Sequence, residues 1–167
     1  MEREPIFVAA LGASTPLGRD AWSSAAAVRA GISGFSEHPC MLDSAGEPMR
    51  VAIAPWLDPG LRCAERLEAL LCPAIDQALT PLLEGERQPL RIALSLGLPP
   101  ARPGLPEDLQ AWLAGALRER YQKFFSAVAV FPNGHAAGLL ALDAAAKKLE
   151  QGVFDACVVA GVDSYMD

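Results

Sequence analysis

Ser-Ala-Val-Ala-Val-Phe (126–131), Pro-Asn-Gly-His (132–135), Ala-Ala-Gly-Leu-Leu-Ala-Leu-Asp-Ala-Ala-Ala-Lys-Lys-Leu-Glu-Gln (136–151), Gly-Val-Phe-Asp (152–155), Ala-Cys-Val-Val-Ala-Gly (156–161): this is the stretch that decides how the chain is read. Two short apolar runs, each closed by turn residues, have the length and composition of buried strands. Between them lies a helical segment, expected from His135 to Gln151, that is almost pure Ala and Leu until Lys147. Strand, helix, strand in this order is a parallel βαβ unit. A helix that is apolar all round is expected to be buried on all sides.

The same alternation extends toward the N-terminus. Ile6–Leu11 is an apolar run ending at Gly12 and reads as a strand. Gly12–Gly18 is a turn, Asp20 can cap a helix from Ala21 to Ala30, and Gly31-Ile-Ser-Gly34 stops it. Residues 35–59 are rich in Pro, Gly and polar residues, with a hairpin expected at Asp43-Ser-Ala-Gly46. A long helix is expected over 61–83, with Leu67, Leu70, Leu71, Ile75, Ala78, Leu79 and Leu82 on one face. Pro73 and Pro81 predict a kink and an early end to it. Leu90–Leu96 reads as a strand, Glu107–Tyr121 as a helix, Ser126–Phe131 and Ala156–Gly161 as further strands. The chain, residues 1–167, is therefore read as one α/β domain with a layered βαβαβαβ order and a mixed, mostly parallel sheet.

Composition excludes several classes. The net charge of −6 opposes nucleic acid as a partner, since phosphate contacts require clustered cations. No apolar run reaches the roughly 18 residues of a membrane span, so no membrane partner is expected. Met1-Glu2-Arg3-Glu4 is charged and precedes only a short apolar stretch, unlike a secretory signal. Cys40, Cys63, Cys72 and Cys157 lack CxxC pairing and metal-ligand spacing. Structural thiols in a reducing cytoplasm are expected, with no metal and no cofactor. Gly12 and Gly18 do not form the dinucleotide fingerprint, and there is no Gly-x-Ser-x-Gly elbow.

Three segments in the right order give the chain a resemblance to the β-ketoacyl synthases of the thiolase superfamily. Phe7-Val-Ala-Ala-Leu-Gly-Ala-Ser-Thr-Pro-Leu-Gly18 is similar to that family's opening strand and loop, which read Val-x-Ile-Thr-Gly-x-Gly-x-x-Thr-Pro-Leu-Gly. Trp22 and Ala30-Gly-Ile-Ser-Gly34 sit at the family's offsets. Gly138, Gly152, Asp155 and the strand ending at Gly161 match the segment that carries the nucleophilic cysteine. Counting back from these, the cysteine position falls on His135, within Pro132-Asn-Gly-His where a Thr-Ala-Cys type sequence is expected. Ala10 also departs, standing where a glycine is common.

The resemblance implies the N-terminal half of a thiolase-like fold, in which residues 136–146 pack in a central layer between two sheets. The family's second half supplies paired histidines, a lysine and a glycine-rich loop, and none of these follows Asp167; a truncated chain is expected. The implied function is acyl-group handling on acyl carrier protein in fatty-acid or polyketide biosynthesis. The implied assembly is a dimer, with a twin copy or with another synthase-like subunit, paired at the edge of the strand 126–131. A helix N-terminus favours a thiolate and disfavours imidazolium, so His135 is expected neutral and unable to store an acyl chain. Condensation is therefore expected to fail, and a noncatalytic partner subunit is the alternative. His135 is read as contacting an acyl group or a partner, as a polar helix-capping or core residue, or as itself a catalytic group. Asn133 either caps the helix or orients His135, with Gly134 and Gly138 supporting the turn and helix. Asp163 and Ser164 read as turn formers, and Arg118, Arg120 and Lys123 as a solvated face or a docking surface for the acidic carrier.

Overall fold

A computed structural model describes residues 5–84 and 89–165. The charged start Met1–Glu4 lies outside these residues. The first helix is α1 (Ala21–Arg29), followed by a hairpin of β1 (Phe35–Leu42) and β2 (Pro48–Ala52). Then come α2 (Cys63–Leu83), β3 (Ile92–Gly97), α3 (Leu109–Arg120), β4 (Phe125–Phe131), a single 3₁₀ turn (Gly134–Ala136), α4 (Ala137–Glu150) and β5 (Ala156–Gly161).

β3 is the centre of a parallel sheet of order β4-β3-β5, with Leu96 opposite both Val130 and Ala160. Every residue of β3 is buried, as a central strand covered on both faces requires. α2 and α3 cover one side through Leu67, Leu71, Ile75, Leu79, Leu113 and Leu117, all of them fully enclosed. α4 lies against the sheet by its alanines, Ala137, Ala141 and Ala145. The α/β class and the parallel βαβ units are thus present. The antiparallel pair stands apart as the β1–β2 hairpin, so the three-stranded sheet itself is not mixed.

Local signals explain most boundaries. Asp20 accepts from Ser23 N at 2.8 Å and starts α1, and Gly31 at φ +70 ends it. The hairpin turns at Asp43–Gly46, where Asp43 Oδ1 accepts from Ala45 N and Glu47 N and Gly46 takes φ +84.

Three expectations fail. Ile6–Leu11 forms no strand: it is unpaired, and Phe7 and Val8 are about 80% exposed. Its continuation is held by α2 instead, because Gln77 donates to Ala13 O and Arg19 O and accepts from Ala21 N. A Cβ on Gly12 would sit 1.9 Å from Ala74 O, so only glycine allows that approach. Pro73 and Pro81 do not shorten α2, which runs to Leu83. An internal proline costs about 3 kcal/mol, whereas burying Leu67, Leu71, Ile75 and Leu79 contributes about 1.5–3 kcal/mol each. Burial prevails. Finally, α4 is not enclosed: Leu139, Leu140 and Leu142 are 72%, 42% and 55% exposed.

Candidate functional site

β4 delivers the chain to the turn that carries His135. Leu98 N donates to Phe131 O and Gly134 N to Leu98 O, which locks this turn to the end of β3. Gly134 adopts φ +56, and a Cβ there would meet the Pro100 ring at 3.0 Å. Gly97 is equally constrained, since a Cβ would press on Ala137 and Gly138 N at 3.1 Å. Glycines at these two points bring the strand end and the helix start together. Ala137 N closes the 3₁₀ turn on Gly134 O, and α4 continues from there.

His135, the expected helix start, therefore occupies a 3₁₀ turn just ahead of α4, which begins two residues later at Ala137. It is exposed, and its ring makes no hydrogen bond with any described residue. Asn133 is exposed and makes no side-chain cap, so the capping role expected of it is not taken up. Gly138 is exposed, with open space where a Cβ would be. The turn exposes Asn133 and His135 on either side of the half-buried Gly134, and among the described residues no acid, base or thiol joins them by a hydrogen bond.

The thiols lie elsewhere. Cys63, at φ +44 on the first turn of α2, donates Sγ to Gly104 O at 3.2 Å. Burial pushes the Cys72 and Cys157 thiols above their ordinary range. Cys40 is exposed on the hairpin, and all four cysteines are free. Among the described residues no group of His, Cys, Asp or Glu could hold a metal ion. No described helix is long and apolar enough to cross a membrane.

Three polar constructions were illegible in the residue order or only half read. Asp155, matched above as a motif residue, grips Arg91 at the mouth of β3: Oδ2 accepts from Arg91 N at 2.8 Å and Oδ1 from Nη2 at 2.8 Å. This grip holds the Asp155 carboxyl at about 2, and Arg91 also reaches Gly152 O. The motif thus ties β5 to β3. Asp163 and Ser164 do more than turn the chain. Arg102 clamps Asp163 at 2.8 and 3.2 Å, also donates to Ser164 O, and lies 4.1 Å over the Tyr165 ring. Arg66, only 4% exposed, donates Nε to Ser164 Oγ. A cation at position 66, one turn before Leu70 on the inner face of α2, was the available signal. Lastly, Tyr121 donates to Asp76 Oδ1 at 2.6 Å, joining α3 to α2, and burial raises its hydroxyl far above the ordinary range.

The expected basic face is partly spent on the fold. Arg120 pairs with Asp76, and Arg118 Nη2 donates to the Val128 carbonyl of β4. Comparison of the chain with models of known protein families and with curated proteins returns no match.

Proposed function

We propose that this chain is a β-ketoacyl-synthase-like scaffold of fatty-acid or polyketide biosynthesis that does not condense acyl groups. The observation that carries the reading is the side chain at the β4–α4 junction. In the resemblance set out above this is the reacting position, and here it holds an exposed imidazole with no thiol and no hydrogen-bonded acid or base. An imidazole that took an acyl group from a thioester, with release of the thiol, would become an acyl-imidazole, which water cleaves to the free acid, so no chain could be stored for extension. Supporting the frame, Gly97 and Gly134 bring strand end and helix start together, and Asp155 fixes β5 against β3.

The test is mass spectrometry after incubation with an acyl thioester. The bare chain mass is expected, and a stoichiometric adduct on His135 would overturn the reading. His135→Cys is the complementary variant: an adduct on the new thiol would show that the surrounding turn still supports transfer.

A second reading, a noncatalytic subunit that pairs with a synthase-like partner or a twin, is favoured by one specific observation. The leucines of α4 are exposed, and Gly138 has open space above it, as a helix of a central layer would before its partner docks. Among the described residues β4 is an outer strand, capped at the Val128 carbonyl by Arg118 alone, and its residues 126–131 carry no charge or proline. A condensation assay and co-purification with an active synthase subunit separate the two readings. Acyl carrier protein belongs to both as an acidic partner, with Lys123 and the neighbouring arginines as the basic face.

A further inference from the structure

The geometry points to a binding site for a compact apolar monoanion in a cleft of about 500 Å³ between α1, the turn 15–17 and the base of the hairpin. Its volume lies within the range of small-molecule sites. This site is independent of the β4–α4 turn and of the function proposed for it.

The chemistry of the guest follows from what the cleft has left to offer. Its wall is made rigid by Thr15, whose polar atoms are all in use. Thr15 N donates to Gly18 O, and its carbonyl accepts from Gly18 N and from the Trp56 indole. Thr15 Oγ1 shares a 2.8 Å hydrogen bond with Ser24 Oγ and accepts from Leu17 N. The remaining surface is apolar, from Leu17, Val28 and Phe35, so a guest with several polar groups would lose hydration without repayment.

Arg29 is the one charged side chain among the lining residues. It stands on the last turn of α1, where free carbonyls would ordinarily engage a cation. Here those carbonyls are taken: Ala26 O accepts from Ala30 N, Ala27 O from Ile32 N and Val28 O from Gly31 N. Arg29 makes no hydrogen bond to them and is an exposed cation among the residues that line the cleft. Arg50 lies 6.0 Å from the Phe35 ring, but Glu37 stands opposite it across the hairpin, so the selectivity rests on Arg29. One cation above an apolar, ring-walled cleft fits a single carboxylate or sulfonate on a one- or two-ring body.

Calorimetric titration with naphthoate, naphthylmethanol and naphthylmethylammonium tests this. Naphthoate is expected to bind tightest and the ammonium weakest, in one site per chain. Arg29→Gln is expected to weaken naphthoate by up to about fivefold, the range of an exposed ion pair, and to leave the alcohol unchanged. Ala25→Trp fills the cleft from an exposed position and is expected to abolish binding of all three, with the circular dichroism of the folded chain retained. Absence of binding to the native chain, binding that survives Ala25→Trp, or a preference for the ammonium would each overturn the assignment.

Discussion

β3 and α4 are both largely apolar, and they meet opposite fates. Ile92–Gly97 is flanked by β4 and β5 and covered by α2, α3 and α4, and none of its residues is exposed. α4 uses only its alanines against the sheet and leaves Leu139, Leu140 and Leu142 in solvent. Apolar composition alone therefore does not say what an element packs against. β3 is satisfied within its own chain, whereas α4 has more apolar surface than the described residues cover. In the reading proposed above, these exposed leucines are where a partner would dock.

Mutations separate the two regions by size of effect. Leu96→Ala in β3 is expected to destabilise the fold by about 2–5 kcal/mol, because a fully enclosed side chain leaves a cavity. Urea denaturation reads this, and a loss below about 1 kcal/mol, well under the range for an enclosed leucine, would mean that the sheet core is loose. Tyr121→Phe should cost about 1 kcal/mol, since the bond to Asp76 lies at the edge of the same core and Asp76 is half exposed. Leu139→Lys is expected to change the unfolding free energy by less than about 0.5 kcal/mol, as exposed sites do. Its effect should appear in association instead, and a large loss of stability there would show α4 to be core.

Acid sharpens the comparison at the seam between β3 and β5. The Asp155 carboxyl is lowered from its ordinary 3.8 to about 2 by the Arg91 hydrogen bonds. A depressed carboxylate contributes stability that is complete above the ordinary value and lost as pH falls toward the lowered one. The contribution is expected to fade between about pH 4 and pH 2. Carbon-detected NMR titration of Asp155 should give a midpoint near 2, moving up toward 3.8 in Arg91→Ala. An unchanged midpoint in the variant would remove the clasp from the description.

Legibility followed the range of the interactions. Asp20 as a cap, the Asp43–Gly46 turn and the strand Ala156–Gly161 were all readable, because their causes lie within a few residues. Ile6–Leu11 has strand composition, but whether it pairs depends on an edge elsewhere, and Gln77 on α2 claims its continuation. The prolines of α2 carry a local penalty that distant packing outweighs. At the candidate site the order strand, turn, His135, helix was readable, while the single 3₁₀ turn and the uncapped Asn133 were not. Arg66 and Arg102 converge on Asp163 and Ser164 from positions 61 to 98 residues away, beyond any local pattern.

The exposed face of α4 gives the most direct test of the whole reading. Static light scattering at micromolar concentration should find the native chain associated, with β4 edges paired and α4 leucines in the contact. The double variant Leu139→Lys, Leu142→Lys should move the mass toward that of the monomer while the unfolding midpoint stays in place. A native chain that remains monomeric and binds no hydrophobic dye would contradict the claim, because its leucines would then be covered by its own residues. The synthase-like reading that leans on that open face would fall with it.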